Sequence, residues 1–99
     1  MPAPILEHAL LDVLPDQTEE FEAAFAHAVP LIEGQVGFRH LRLMRCWEYP
    51  ARYLLLVEWE SIEAHTDGFR NSPEYVAWRE LLHHFYDPMP QITHYSSVL

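Results

Sequence analysis

The fold is decided by the stretch from Tyr53 to Pro88, which reads YLLLVEWESIEAHTDGFRNSPEYVAWRELLHHFYDP. Its first five residues are apolar without interruption, a pattern typical of a buried strand. Ser61 and then Ser72, which precedes Pro73, are N-cap signals that predict two successive helical segments. The stretch holds two of the three tryptophans and three of the seven histidines. This density of aromatic and titratable groups makes it the place where we expect a pocket.

Outward from this stretch, the chain predicts three further strands and one further helical region. The four predicted strands span residues 4–14, 38–48, 53–60 and 91–98. The resulting order, β-α-β-β-α-β, predicts an α+β fold of the ferredoxin-like type, with a four-stranded antiparallel sheet and helices on one face. We find no linker and no repeat, so residues 1–99 are predicted to form a single domain.

The first helix is predicted from a cap and an apolar stripe. Asp16 is the expected N-cap, with Glu19 three residues later as in a capping box. Pro30 falls inside the helical pattern and is expected to kink or loosen the last turn. The inward stripe consists of Phe21, Ala24, Phe25, Ala28 and Ile32.

The strand patterns also predict how the chain assembles. The segments around Leu10 and Leu54 are apolar on both faces, although helices on one side can cover only one of them. An apolar face of this size should not stay in water, so we expect a homodimer in which two sheets face each other. The strand at 38–48 is more mixed. Its alternation predicts that Phe38 shares a face with His40, Arg42 and Met44.

Composition limits the possible partners and the setting. The chain has 15 acidic residues against six arginines and no lysine, and its formal net charge is −9. Phosphate backbones and anionic membranes attract the opposite sign, so we expect neither nucleic acid nor a membrane as a partner. Cys46 stands alone and cannot form an intrachain disulfide. With no basic signal-peptide region and no long apolar run, the sequence predicts a cytoplasmic protein.

Several segments resemble the antibiotic biosynthesis monooxygenase (ABM) domain family. They are Tyr53–Ser61, Glu63–His65, Phe69–Arg70, Ser72–Tyr75, Trp78–Arg79, Leu81–Pro88 and His94–Tyr95. The resemblance implies a dimeric α+β barrel, in agreement with the strand faces. It also implies an oxygenase that uses no metal and no flavin, in which a deprotonated aromatic substrate supplies electrons to dioxygen. We therefore expect a small phenol or hydroquinone as substrate, a quinone as product and no cofactor.

The candidate site residues follow from this chemistry. His65 is the candidate catalytic base, because histidine is the side chain that titrates near neutral pH. Tyr75 is the candidate donor of a hydrogen bond to the oxyanion. Trp59, Phe69 and Trp78 are the candidate walls of the substrate site. The competing interpretation is that His65 is a buried, hydrogen-bonded histidine and that the aromatic residues only pack the core.

Two other functions stay open. One is a non-catalytic dimeric module that binds an aromatic metabolite. The other is a haem-binding or haem-degrading protein, although the haem-degrading branch uses an asparagine on the first strand where this chain has Glu7 and His8. His8 and His94 lie on strands that are predicted to be neighbours, but no metal-binding motif accompanies them, and no metal site is predicted.

Overall fold

The computed structural model describes residues 4–99. Its elements are β1 (Ile5–Asp12), α1 (Thr18–Glu33), β2 (Phe38–Arg45), β3 (Arg52–Trp59), a π-helix (Ala64–Phe69), α2 (Pro73–Leu82) and β4 (Ile92–Tyr95). A 3₁₀ turn, His83–Phe85, continues directly from α2. Within residues 4–99, no helix combines the length and the apolar character that crossing a membrane requires.

The four strands form one antiparallel sheet in the order β2-β3-β1-β4. The two central strands, β1 and β3, pair over their full length, from Ile5 opposite Trp59 to Asp12 opposite Arg52. Both helices pack on the same face of this sheet, where Tyr53 contacts the ring of Phe21. The predicted ferredoxin-like α+β fold is therefore confirmed.

A bulge at the start of β2 reverses its side-chain alternation. Phe38 lies opposite Trp59, whereas the next paired residue, His40, lies opposite Glu58. The prediction that Phe38 and His40 share a face is wrong, because a bulge inserts an extra residue into one strand. Phe38 instead packs edge-on against Trp59 on the helix side, with ring centroids 5.8 Å apart. The strand also ends earlier than predicted, and Trp47 in the turn after it is 94% exposed.

Helix α1 keeps the predicted stripe but not the predicted cap. Leu14 and Gln17 close a turn through a 2.9 Å backbone hydrogen bond, so the helix starts after this turn and Gln17 takes the N-cap position. The expected cap at Asp16 is wrong for this reason. The helix continues through Pro30 to its end. The buried residues are Phe21, Phe25, Ala28 and Ile32.

Two serine caps divide the second helical region, as the sequence predicts. Ser61 Oγ accepts a hydrogen bond from the backbone N–H of Ala64, and Ser72 Oγ accepts one from that of Tyr75, both at 3.2 Å. The segment between the caps winds as a π-helix, and at its end the N–H of residue 70 donates to the carbonyl of His65. Its two buried side chains, His65 and Phe69, both face the sheet.

The two faces of the sheet have different surroundings. Along β3, half-buried and buried residues alternate strictly. The buried ones, which include Leu55 and Val57, face the helices and lie in the core. The other side, which we call the open face, carries the apolar side chains of Leu6, Leu10, Met44, Leu54 and Leu56. Leu10 pairs with Leu54 at its centre and is 43% exposed. No segment within residues 4–99 forms a second layer over the open face.

Candidate active site

A cavity of about 180 Å³ lies between the helix side of the sheet and the helices. The central strands contribute one wall, which includes Glu7 and Leu55. The π-helix and α2 contribute the opposite wall. Two of the lining residues, Arg70 and Met89, are exposed to solvent, so the cavity opens beside them.

Glu7 is a buried acid in this wall. Along β1 it occupies the same face as Ala9, so the strand turns its side chain towards the helices, and only 5% of the residue is exposed. Its Oε1 atom accepts a hydrogen bond from Trp59 Nε1–H at 2.9 Å. The same oxygen lies 3.4 Å from His65 Nε2. Both contacts use Oε1, which leaves Oε2 free to meet a molecule in the cavity.

His65 has polar partners on both sides of its ring. The residue is only 3% exposed, and its ring stacks on Trp59 with centroids 5.4 Å apart and an interplanar angle of 17°. While Nε2 faces Glu7, Nδ1 lies 2.9 Å from His94 Nε2. Nδ1 is therefore hydrogen-bonded to a second imidazole, and Nε2 is in a longer contact with a carboxylate oxygen.

The proton positions in this row follow from the acceptor at its end. Glu7 Oε1 already accepts the N–H of Trp59 and is therefore an acceptor, so we assign the proton of neutral His65 to the Nε2 atom that faces this oxygen. Its Nδ1 atom is then an acceptor, and His94 Nε2–H must be the donor. We call this arrangement, in which His94 donates to His65 and His65 Nε2 faces Glu7 Oε1 in a 3.4 Å contact, the donor row. It joins β4, the π-helix and β1.

Burial changes the acid–base behaviour of every member of the row. Burial raises the pKa of Glu7, and the bond from Trp59 and the positive charge of Arg70 offset this rise only in part. Burial, assisted by the charges of Arg70 and His94, lowers the pKa of His65 to about 3. The pKa of His94 is also lowered, chiefly by burial and then by Arg70. At neutral pH both imidazoles are therefore uncharged.

Aromatic side chains form the apolar part of the cavity wall. Phe69 meets Tyr75 edge-to-face with ring centroids 5.3 Å apart, and it meets Trp78 in the same way at 5.5 Å. Trp78 also packs against Phe25 of α1 at 5.5 Å. Edge-to-face contacts of this kind hold rings in defined orientations, so this wall has a fixed shape.

A second histidine lines the cavity near the end of α2. The ring centroid of His83 is 6.1 Å from that of Tyr75 and 5.6 Å from that of Tyr86. Burial lowers the pKa of His83, and burial raises the pKa of the Tyr86 phenol. This part of the cavity therefore presents the neutral imidazole of His83 and the protonated phenol of Tyr86, beside the hydroxyl group of Tyr75, and these groups can hydrogen-bond a ligand oxygen.

Arg70 supplies positive charge to a cavity in an otherwise acidic protein. It lines the opening, and its charge acts on the pKa values of Glu7, His65, His83 and His94. The formal net charge of the chain is −9, so Arg70 places a positive charge at the opening of a cavity in a chain with an excess of acidic residues. An anionic oxygen on a ligand would be stabilised there.

The sequence model of the family described as antibiotic biosynthesis monooxygenase matches residues 4–81 of the chain. The chain belongs to the antibiotic biosynthesis monooxygenase family. YczJ of Bacillus subtilis, a protein of uncharacterized function, is 46% identical over 94 residues, which cover 95% of this chain and 99% of YczJ.

Solved structures agree with the family assignment. A Bordetella bronchiseptica protein assigned to the antibiotic biosynthesis monooxygenases is 36% identical, with a TM-score of 0.93 over 98% of this chain and 99% of its own. SnoaB of Streptomyces nogalater, a cofactor-independent oxygenase, has a TM-score of 0.83 over 98% of this chain and 95% of its own. At 17% identity, SnoaB shows a shared fold.

In this member of the ABM family, four of the five site residues predicted from the sequence line the cavity: His65, Phe69, Tyr75 and Trp78. The fifth, Trp59, is completely buried behind His65 and does not line the cavity. Its indole N–H is directed at Glu7 instead. The structure thus brings all five together, with Trp59 supporting the site from behind.

Three polar groups of the ABM site were missed by sequence reasoning, namely Glu7, Arg70 and His83. A signal for Glu7 was present, because it falls on the inward face of β1 between Ile5 and Ala9 in a strict two-residue alternation. An acid on the inward face of a central strand needs a partner. His83 and Arg70 follow helix segments whose rotation is set by packing, and no comparable signal marked them.

The possible pairing of His8 with His94 is not found. His94 lies opposite Glu7 and faces the helices, whereas His8 lies opposite Thr93 and faces the open face. Neighbouring positions along a strand point to opposite faces of the sheet, which separates the two imidazoles. Among residues 4–99, no group of three or more histidine, cysteine, aspartate or glutamate side chains has an arrangement that could hold a metal ion.

Proposed function

We propose that the protein is a cofactor-independent monooxygenase that converts a monocyclic phenol or hydroquinone into a quinone. The observation that carries the proposal is the cavity of about 180 Å³, which combines an aromatic wall with a buried carboxylate and imidazole. An apolar cavity of about 150 Å³ holds one benzene ring, whereas drug-sized ligands need about 300 Å³ or more. One substituted ring therefore fits. Haem, which is several times larger, would require the helices to separate.

The proposed reaction balances without an added reductant. A phenol and one dioxygen molecule give a quinone and one water molecule. The phenol first loses its O–H proton, and the resulting phenolate donates electrons from its ring to dioxygen, which forms a C–O bond. The O–O bond of this peroxide then breaks as the ring C–H proton is lost and water leaves. The substrate is oxidised by four electrons, and dioxygen is reduced by four.

Each part of the cavity suits one requirement of this reaction. The end with Glu7 and His65 is suited to proton removal, because it holds titratable groups away from water. Tyr75 and the guanidinium of Arg70 can stabilise negative charge on the substrate oxygen. Phe69 and Trp78 would hold the ring. Trp59 acts behind this layer, through Glu7 and His65.

We also propose that the working unit is a homodimer joined through the open face. The support is physical: Leu6, Leu10, Leu54 and Leu56 lie on one face of paired strands, where His8 and Glu58 stand among them, and Leu10 is 43% exposed. A second copy related by two-fold symmetry covers this surface with its own equivalent. The arrangement agrees with the dimeric barrel that the family resemblance implies.

The test is oxygen uptake with a panel of monocyclic phenols and hydroquinones, followed for each substrate that is turned over by product analysis for the quinone. We expect His65→Ala to lower kcat by about 10²-fold, because it removes a side chain that contacts Glu7 at the end of the cavity suited to proton transfer. Tyr75→Phe should lower kcat less, since it removes one hydrogen bond. His84→Ala is the matched control, because His84 is exposed and does not line the cavity.

Two outcomes would contradict the proposal. Unchanged oxygen uptake in His65→Ala would remove this residue from the mechanism. Quenching of tryptophan fluorescence by phenols with no oxygen uptake across the panel would favour a non-catalytic module that binds an aromatic metabolite.

A further inference from the structure

We infer that Glu7 is the catalytic base of this site, and that His65 and His94 are positioning residues that hold its carboxylate through the donor row. This inference rests on the proposed function for the identity of the proton donor, a phenol. It assigns the proton-accepting role to the carboxylate of Glu7 and not to the imidazole of His65, which the sequence pattern indicates.

His65 and Glu7 differ in whether a lone pair remains for the substrate. A base needs a lone pair that faces the substrate. In His65, Nδ1 is hydrogen-bonded to His94 at 2.9 Å, and Nε2 is turned towards Glu7 Oε1 at 3.4 Å. Glu7 lines the cavity and receives its protein contacts on Oε1. Its Oε2 atom is therefore the acceptor that a phenol in the cavity can reach without breaking a protein contact.

The donors near Glu7 are directed towards its carboxyl group. Trp59 donates its indole N–H to Glu7 Oε1 at 2.9 Å, His65 Nε2 faces the same oxygen at 3.4 Å, and His94 Nε2 lies 2.9 Å from His65 Nδ1. Donors converging on one carboxylate fix its orientation and support its charge. An imidazole that is held by a second imidazole and turned towards a carboxylate is a positioning group in this geometry.

The titratable and charged groups around Glu7 come from several elements. The π-helix presents His65 and Arg70, β4 presents His94, and α2 is followed by His83; β3 presents the uncharged Trp59. Apart from the exposed Arg70, these neighbours are neutral at pH 7 because burial lowers the histidine pKa values. Burial also raises the pKa of Glu7 above that of an ordinary carboxyl, which brings it closer to a phenol with a pKa of about 10.

The proton then has a complete path within the cavity. The phenol O–H proton moves to Glu7 Oε2, and the phenolate reacts with dioxygen. The protonated Glu7 returns this proton to the peroxide oxygen. The regenerated carboxylate accepts the ring C–H proton and delivers it to the departing hydroxide as water forms. Glu7 ends the cycle ionised, as it began, and no proton has to leave the cavity.

The ionisation of Glu7 can be measured without any turnover. The indole N–H of Trp59 is bonded to Glu7, so its ¹H–¹⁵N resonance should shift when the carboxyl titrates. We expect a titration step above pH 4.5 that is absent in Glu7→Gln. The indole of Trp47, which is 94% exposed, is the internal control. A flat Trp59 titration, or an unchanged step in Glu7→Gln, would overturn the inference.

The donor row predicts a distinct effect of His94. His94→Leu removes the donor to His65 and should move the Trp59-detected step to higher pH, because the carboxylate loses support. His94→Gln retains an N–H donor and should restore the step towards its original position. If both variants titrate like the unchanged protein, His94 has no positioning role. A catalytic readout should follow the same order, with the acid limb of the pH–kcat profile shifting in His94→Leu and not in His94→Gln.

Proton transfer from a bound phenol is tested with 4-nitrophenol, whose phenolate absorbs visible light. The unchanged protein should increase the phenolate absorbance on binding, whereas Glu7→Gln should bind the phenol without this increase. Glu7→Asp keeps the carboxyl on a shorter side chain and should give an intermediate result. An equal increase in Glu7→Gln would assign the base elsewhere. If no phenol binds or consumes oxygen, the proposed function fails, and the Trp59 titration still decides whether Glu7 is the titrating group.

Discussion

At the residue scale, Glu7 carries the main conflict between burial and charge in this protein. A carboxylate that is 5% exposed needs strong donors, since an unpaired buried charge costs several kcal/mol. Here the direct donor is the indole of Trp59, and the imidazole of His65 lies 3.4 Å from the same oxygen. They hold the carboxyl in place, but they do not cancel the effect of burial on its pKa. A buried carboxyl group with a shifted pKa is typical of sites where proton transfer is the function.

The Trp59–Glu7 bond makes a first prediction about stability. Trp59→Phe keeps an aromatic ring but removes the N–H donor, and we expect a loss of about 1–3 kcal/mol in the free energy of unfolding at neutral pH, plus a contribution from lost volume. The loss should be smaller at about pH 4.5, because a protonated carboxyl accepts a weaker hydrogen bond than a carboxylate. Urea unfolding measures both values. Trp47→Phe, at an exposed position, should change stability by less than about 0.5 kcal/mol.

Equal losses for Trp59→Phe at the two pH values would contradict this prediction, because the effect would then arise from volume alone.

The pKa of His65 predicts a pH dependence of stability with a definite sign. The folded chain keeps this imidazole neutral down to about pH 3, whereas an unfolded histidine takes up a proton below 6.5. Between these values the unfolded state binds more protons, so stability falls as pH falls. The limiting slope is about 1.4 kcal/mol per pH unit. Glu7, whose pKa is raised above 4.5, acts in the opposite direction above that value and reduces the net slope.

The His65 contribution is isolated by comparison with His65→Gln, which cannot take up the proton in either state. Urea unfolding from pH 7 down to pH 5 should show a steeper loss of stability in the unchanged protein than in the variant. Parallel curves would show that His65 titrates alike in the folded and unfolded chain. His84→Gln, at an exposed position, should leave the slope unchanged.

At the element scale, the π-helix is what places the site. It spans only residues 64–69, yet it contributes His65 and Phe69 to the cavity and is followed directly by Arg70 at the opening. Single turns of π-helix are frequent at functional sites. The serine caps on either side fix where this segment begins and where α2 starts, so the position of the imidazole depends on two local signals and on packing against Trp59.

The connection before β2 predicts a sharp difference between two glycines. Gly37 has φ +86°, and a Cβ atom there would lie 2.6 Å from the Cβ of Ala64, at the start of the π-helix. Gly37→Ala should therefore cost about 2 kcal/mol or more, from backbone strain plus the clash. Gly34 has φ −81° and nothing closer than 3.7 Å to a Cβ, so Gly34→Ala should be neutral or stabilising by up to about 1 kcal/mol.

Thermal and urea unfolding of the two glycine variants test this pair, and similar stabilities would contradict the predicted contact between the loop and the π-helix. Because Ala64 adjoins His65, Gly37→Ala should also shift the Trp59 indole resonance, whereas Gly34→Ala should not.

At the scale of the whole molecule, one sheet separates two different functions. Its helix side holds the cavity, and its open face is proposed to hold a second copy. Two apolar side chains of similar exposure lie on different surfaces of the molecule and allow the dimer to be tested. Leu10 on the open face is 43% exposed and Val76 on α2 is 45% exposed. Leu10→Glu should convert a dimer into a monomer, since it buries a charge in the interface, while Val76→Glu should leave the dimer intact.

Analytical ultracentrifugation over a range of concentrations measures this difference. A monomeric unchanged protein, or dissociation of the Val76→Glu variant to the same extent, would contradict a dimer through the open face.

The sequence by itself determined the architecture and much of the cavity wall. Two-residue and helical periodicities, serine caps and apolar strands on both faces led to the ferredoxin-like sheet and to His65, Phe69, Tyr75 and Trp78. These features are local, because propensity and periodicity act over a few neighbouring residues. The bulge at Phe38 was missed because strand register is set by the partner strand, and the cap of α1 was missed because the turn before it is held by the N–H of Leu14, which donates to the distant carbonyl of Phe85.

Only the tertiary structure decided the chemistry of the site. Glu7, His65 and His94 come from β1, the π-helix and β4, and no local pattern relates them. Strand pairing places His94 opposite Glu7, and helix packing brings His65 between them. Burial then changes the pKa of all three. Both effects depend on non-local packing and on the exclusion of water, which a sequence pattern does not encode residue by residue.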